Sequence, residues 1–189
     1  MTWTWDQSVQ DASDAANGIP YNGGGAWNQA TCATRWSDRA TALAALIRAT
    51  FPAVTTIGGL RCSPITINGV QEMSIHAVGR ALDVMVGSNA LGAEIADWAV
   101  KNAVAQRIQL IIWDGKVWQA NSPASRRLTT YTGSNPHTDH VHIEVTSEGD
   151  AQLSTTSQGT SSSGESLLTW AIAGGLAAYL YRMVKRKKM

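Results

Sequence analysis

The sequence predicts an α+β domain, in which helices pack against a small antiparallel sheet. Three observations support this prediction: apolar alternation near residues 80–86 and 140–145, an apolar hairpin over 108–119, and two segments with helical spacing. A length of 189 residues suits one domain with appendages. Because 44% of the residues are hydrophobic, wholesale disorder is excluded.

The charge distribution argues against a nucleic-acid-binding domain. Five of the 15 basic residues lie in positions 182–189, so residues 1–165 carry a net charge of −4 from ten basic and 14 acidic residues. Nucleic-acid binding needs a basic face, whereas these basic residues form a tail.

Residues 1–36 are predicted to form a loop-rich arm that covers the core. They contain three consecutive glycines and no basic start followed by an apolar run, so they do not resemble a secretory signal. Cys32 and Cys62 are too few for a disulfide scaffold or a four-cysteine zinc site. One disulfide and two buried thiols are both compatible with the sequence.

Capping residues and periodicity predict the elements of the main domain, residues 37–145. Ser37 and either Ser88 or Asn89 are candidate N-caps, and Phe51-Pro52 ends the first helix. Asp114-Gly115 is typical of a type I′ hairpin turn, whereas residues 120–136 are rich in turn formers. The predicted order is a helix over 37–50, strands over 54–60 and 80–86, a helix over 90–105, a hairpin of strands over 108–113 and 116–119, and a strand over 140–145.

After residue 145 the composition changes. Half of residues 146–165 are Ser or Thr, which predicts a flexible linker. Residues 166–181 include no charged residue, and snorkelling of Arg182 extends the apolar run towards the ~17–25 residues that span a bilayer. We therefore predict a transmembrane helix with a basic cytoplasmic tail over 166–189, although a terminal helix packed on the domain is the alternative.

The small residues of this helix keep a four-residue spacing, as in Ala171/Gly175 and Gly174/Ala178. Such spacing lets two membrane helices approach closely, so helix–helix self-association is a further expectation.

The four histidines form two groups. His76 lies in a segment that ends at Asp83, and the other three lie within six residues, 137–142. On a strand, His140 and His142 point to the same face. A catalytic zinc site needs about three N or O ligands and an open position for water, whose proton a nearby carboxylate or imidazole accepts. The His76/Asp83 pair and one later histidine supply these ligands.

The segment from Ser74 to Asp83 matches S-x-H-x-x-G-x-A-x-D at every fixed position. With the later H-x-H, it resembles the zinc D-Ala-D-Ala carboxypeptidase-like peptidases (the hedgehog-like DD-peptidase group), particularly members found in phage lysins. The resemblance covers about residues 58–145. It implies zinc on one face of the sheet, helices on the other, and the ligands His76, Asp83 and His142.

The resemblance also implies catalytic and substrate-binding residues. Relatives carry an acidic base at the position of Asp139, while others carry histidines at the positions of His137 and His140, so both Asp139 and His140 are candidate bases. We expect the larger loss of activity on removing Asp139. The candidate substrate-binding residues are Arg61, Ser74, Tyr131 and His137.

Several of these residues also have an interpretation that needs no role in catalysis or binding. Arg61 is equally compatible with a surface role, and Tyr131 with packing in the core. Ser74 is compatible with a hydrogen bond either to a ligand or to the backbone of its own loop. Gly79 is expected where a Cβ would crowd the loop or where φ is positive. Glu144 shares the face of His142 and is a candidate to support that ligand, but we predict an exposed strand residue.

The function implied is zinc-dependent hydrolysis of peptide bonds in bacterial peptidoglycan. A non-catalytic zinc-binding module that binds the cell-wall peptide is the first alternative. A cysteine peptidase with Cys32 as nucleophile is the second, although Cys32 is not followed by the Ser-Gly of such enzymes. The predicted tail implies anchoring in a membrane with the catalytic domain facing the cell wall, and delivery in a phage particle is the other route considered.

Overall fold

The computed structural model describes residues 3–123 and 127–147, all within one compact unit, Met1–Thr155. The predicted transmembrane helix over 166–189 and all but the first two residues of the predicted linker lie outside these ranges. Within them, no helix is long and apolar enough to cross a bilayer.

The predicted α+β class is confirmed, with an antiparallel sheet and packing helices. Six strands form one sheet in the order β1-β4-β8-β5-β6-β7, and β2 and β3 form a separate hairpin. The elements are α1 (Gln7–Ala15), α2 (Asp38–Thr50), β1 (Ile57–Gly58), β2 (Pro64–Ile67), β3 (Val70–Met73), β4 (Ala81–Met85), α3 (Asn89–Lys101), α4 (Ala103–Gln106), β5 (Ile108–Trp113), β6 (Lys116–Gln119), β7 (Leu128–Thr130) and β8 (His140–Val145).

Side chains alternate between the two faces of the sheet along β4 and β8, so that one face packs in the core and the other carries candidate ligands. Leu82, Val84, Val141 and Ile143 are fully buried on the face that α2 and α3 cover. Each such side chain contributes roughly 1.5–3 kcal/mol by leaving water. The intervening residues point to the opposite face, where Asp83 of β4 pairs in register with His142 of β8. Core packing of two strands thus brings two candidate ligands together.

The predicted caps and hairpin turn are confirmed. The Ser37 hydroxyl accepts a hydrogen bond from the Ala40 N–H at 3.2 Å, and the Ser88 hydroxyl accepts one from Leu91 at 3.3 Å. Asp114 and Gly115 have φ of 47° and 70°, as a type I′ turn requires. The predicted helix over 90–105 is instead divided at Asn102, whose side chain donates to the Trp98 carbonyl at 2.8 Å and thereby caps α3.

The arm is less loop-like than predicted, because it contains α1. The Asp6 carboxylate caps this helix by accepting from the Val9 N–H at 3.0 Å. The inward residues Val9, Ala12, Ser13 and Ala16 keep helical spacing, but most are small or polar, so the sequence shows only a faint apolar stripe. The arm does cover the core, since Trp3, Val9 and Ile19 belong to the main hydrophobic cluster.

The strand prediction differs from the structure in three places. The predicted strand over 54–60 pairs only at Ile57 and Gly58, because Gly59 turns away with φ of 119°. The hairpin of β2 and β3 was missed, although Asn68-Gly69 is a strong type I′ turn signal. Strand β7 was also missed within the turn-rich segment 120–136.

A disulfide joins Cys32 to Cys62, with the two Cα atoms 5.5 Å apart. It ties the arm to the loop that precedes β2. Since neither cysteine carries a free thiol, the cysteine-peptidase hypothesis loses its nucleophile.

Candidate metal centre

The predicted ligands His76, Asp83 and His142 converge in the structure. One ligand atom from each lies within 4.8 Å of the others. The Asp83 Oδ1 atom lies 3.0 Å from His142 Nδ1 and 3.4 Å from His76 Nε2. Both imidazoles are buried, and the Asp83 side chain is 15% exposed, so the cluster is open to solvent on one side only.

A tight loop before β4 presents His76 to the sheet. The Ser74 hydroxyl accepts a hydrogen bond from the Ala77 N–H at 3.1 Å, so of the two roles considered for Ser74 the structure shows the bond to its own loop. Gly79 has φ of 70°, and a Cβ there would lie 2.6 Å from the Arg35 carbonyl oxygen. Positive φ and crowding of a Cβ therefore both explain the glycine, and the crowding atom belongs to the arm.

The electrostatics of the three groups are strongly coupled. Burial, reinforced by neighbouring His142, lowers the pKa of His76 to about 3. Burial would raise the pKa of Asp83, but its hydrogen bond to His142 and the nearby His76 and Arg61 hold that pKa well below its usual range. Burial likewise opposes protonation of His142, but hydrogen bonds to Asp83 and Glu144 outweigh it and raise the pKa of His142 to about 9.

The residues present fit a metal ion. Neither ring nitrogen of His76 makes a hydrogen bond of normal geometry within the described part of the chain, although both are buried. Such a group is costly unless a ligand engages it. Because His76 is uncharged at neutral pH, it offers the lone pair that a metal needs. Two imidazoles and one carboxylate are a donor set that suits zinc.

Asp139 and His140 form a pair beside this cluster. The Asp139 carboxylate lies 2.6 Å from His140 Nδ1, and its side chain is 72% exposed. The opposite ring nitrogen, Nε2 of His140, lies 3.8 Å from Asp83 Oδ1. His140 therefore presents its ring to the cluster while Asp139 orients it from outside. Which of the two is the general base stays a prediction, since the distances alone do not test it.

The candidate substrate-binding residues lie at different depths. Arg61 donates to Asp83 Oδ2 at 2.9 Å while its side chain stays 54% exposed, so it joins the rim of the cluster. His137 stacks on His140 with ring centroids 4.7 Å apart, and burial lowers its pKa to about 4. The Tyr131 ring packs edge-on against the His137 ring, with centroids 5.3 Å apart, and so lies farther from the candidate ligands than His137 does. Ser74 is buried in the loop that carries His76.

Two residues at the cluster were missed from the sequence. Glu144 is 7% exposed, so the prediction of an exposed strand residue was wrong; it accepts from His142 Nε2 at 3.0 Å. The backbone of Gly59 lies against the His76 ring. The signal for Glu144 was its two-residue spacing from His142, which places both on one face.

Gly59 tests how closely the chain packs around His76. A Cβ at Gly59 would lie 2.9 Å from His76 Nδ1 and would require φ of 119°. We expect Gly59→Ala to displace the ring and to weaken zinc binding by roughly 10–100-fold, the usual effect of disturbing a ligand's support. Gly69→Ala is the matched control, since Gly69 also has positive φ but open space around it. Equal zinc affinities in the two variants, measured by chelator competition, would contradict this account.

The fold and the cluster together define an α+β protein with a candidate His–Asp–His metal site on the face of an antiparallel sheet. A family model for the VldE C-terminal domain matches residues 32–142, which run from the first cysteine to the last candidate ligand. Because the match spans more than half of the chain, the protein belongs to the VldE C-terminal domain family. No curated protein and no solved structure matches the chain.

Proposed function

We propose that this protein is a zinc-dependent peptidase that hydrolyses peptide bonds of bacterial peptidoglycan. The observation that carries the proposal is the buried convergence of His76, Asp83 and His142, with neither ring nitrogen of His76 in a hydrogen bond of normal geometry to a described residue. The resemblance of the two histidine motifs to zinc D-Ala-D-Ala carboxypeptidase-like peptidases supports the substrate class.

Zinc, when bound, supplies a positive charge that polarises a peptide carbonyl and acidifies a water molecule. The chain's own groups hold and move the proton. His140 directs Nε2 towards the cluster and accepts the proton there as general base. Asp139 keeps His140 in place through the hydrogen bond to Nδ1.

Arg61 is suited to bind the substrate. Its guanidinium is half exposed and already donates to a carboxylate, Asp83 Oδ2. A guanidinium has five N–H donors, so Arg61 retains donors for a carbonyl or a terminal carboxylate of the peptide. His137 and Tyr131 line the side beyond His140.

Digestion of purified peptidoglycan by the zinc-loaded full-length protein tests the proposal. Mass spectrometry of the fragments identifies the bond that is cut, and the His142→Ala variant is the control for contaminating hydrolases. Release of peptide fragments by the wild type alone is expected. Stoichiometric zinc binding without any turnover would instead favour the non-catalytic binding module.

We further propose that residues 166–189 anchor the protein in a membrane and that residues 146–165 tether the domain to the anchor. The support is the uncharged run from 166 to 181, flanked by interfacial aromatic residues and followed by basic ones. A tether raises the local concentration of the enzyme at the cell wall and leaves its site unchanged.

Truncation after Gly149 tests this arrangement. We expect the truncated protein to be soluble, to bind zinc and to cleave small peptides, because the described core lies before that residue. The full-length protein should sediment with membranes and resist extraction by high salt, which releases proteins held only by charge. Salt extraction of the full-length protein would rule out a spanning helix, and unfolding of the truncated one would rule out the tether.

A further inference from the structure

A chain of buried polar groups runs from the arm to the candidate ligand His142. Gln109 of β5 is fully buried at a register shift between Ile108 and Leu110. A bulge of this kind re-aims a side chain, and here the amide of Gln109 reaches both the arm and β8. Its Oε1 accepts from the Asn22 N–H at 2.9 Å, and its Nε2 donates to Glu144 Oε2 at 3.1 Å.

Glu144 links this chain to the imidazole. While Oε2 accepts from Gln109, Oε1 lies 3.0 Å from His142 Nε2. An ionised carboxylate only accepts hydrogen bonds, so Nε2 must carry a proton. The other nitrogen, Nδ1, faces Asp83 at 3.0 Å. Flipping the ring would place C–H groups against both carboxylates, so the two contacts together fix its orientation.

We propose that Glu144 is a positioning residue that makes His142 bind metal through Nδ1. If Nδ1 held a metal ion, the proton on that nitrogen would be released to solvent, and His142 would keep the hydrogen bond from Nε2 to Glu144. Gln109 and Asn22 hold the carboxylate in place from the opposite side. This inference rests on the metal site of the proposed function, but it concerns the orientation of a ligand and not turnover.

Burial supports a dedicated role for Glu144. Its side chain is 9% exposed, and it shares the polar face of β8 with His140 and His142, while Val141, Ile143 and Val145 fill the opposite face. Burying a carboxylate costs free energy unless its oxygens are hydrogen-bonded. Since both oxygens of Glu144 are engaged, the arrangement matches the carboxylate–histidine–metal pattern that orients ligands in metalloproteins.

Metal affinity and nitrogen identity test the inference in the full-length protein. With nitrogen-15 histidine and cadmium-113 as the probe, we expect scalar coupling from cadmium to His142 Nδ1 in the wild type. Glu144→Leu should weaken zinc binding by roughly 10–100-fold and abolish that coupling. Glu144→Gln keeps an acceptor for Nε2 and should retain the coupling, with a smaller loss of affinity. Glu94→Leu on the exposed face of α3 is the control and should match the wild type.

The outcomes separate this inference from the proposed function. If the wild type binds neither zinc nor cadmium, the metal function fails and the inference fails with it. If it binds cadmium through Nε2 of His142, or if Glu144→Leu binds zinc as tightly as the wild type, the metal site stands and the role of Glu144 is overturned. Should Glu144→Leu fail to fold, the cadmium coupling to His142 in the wild type and in Glu144→Gln decides whether the metal is bound through Nδ1.

Discussion

Replacing His142 with alanine should reduce the zinc content from about one ion per chain to nearly none, because two remaining ligands do not close a zinc site. Hydrolysis of peptidoglycan should fall to background with it. His142 lies 3.0 Å from each of two carboxylates, so its loss removes a ligand and also one hydrogen-bond partner of Asp83 and one of Glu144. Metal analysis after dialysis measures the first effect directly.

The matched control for this variant is His140→Ala, which changes the same residue type two positions away and should keep its zinc. Circular dichroism tests whether His142→Ala is folded. If it is not, His142→Gln replaces it in the metal analysis, because glutamine can still donate a hydrogen bond to a carboxylate. Stoichiometric zinc in a folded His142→Ala protein would show that the ligand set is wrong.

His140→Ala should lower kcat/KM by roughly 10²–10⁴ while zinc stays bound, as expected on loss of a general base. Asp139→Ala should have a clearly smaller effect. The reason is that Asp139 touches the cluster only through His140 Nδ1 and is 72% exposed, so solvent screens its charge.

Kinetics of both variants on one cell-wall peptide decide between the two residues. Asp38→Ala, which removes an exposed carboxylate at the start of α2, is the control for a change of surface charge. A loss in Asp139→Ala as large as that in His140→Ala would return the role of base to Asp139, as the sequence suggested.

Much of the fold was predictable because local rules act on local sequence. Alternation predicted β4 and β8, and the hydroxyls of Ser37 and Ser88 predicted where two helices begin. Prediction failed for α1, which buries mainly small residues, and for β2 and β3, whose apolar side chains are exposed and whose Asn68-Gly69 turn signal was overlooked. Sequence periodicity reports burial, so elements that bury little are missed.

The sequence by itself determined the candidate ligands. One continuous motif holds His76 and Asp83, the period of a strand places His140 and His142 on one face, and the resemblance to the zinc peptidases singles out His142. Only the tertiary structure decided how the surrounding groups are used. The register of β4 against β8 placed Asp83 opposite His142, and the disulfide fastened the loop beside Arg61 to the arm. Glu144 meets Gln109 across 35 residues of chain, which only the packing of β5 on β8 brings about. Asp139 and His140, like His142 and Glu144, are close in the chain, and their spacing indicates at most a shared face. The exposure of each carboxylate and its remaining partners arise only when the strands pack.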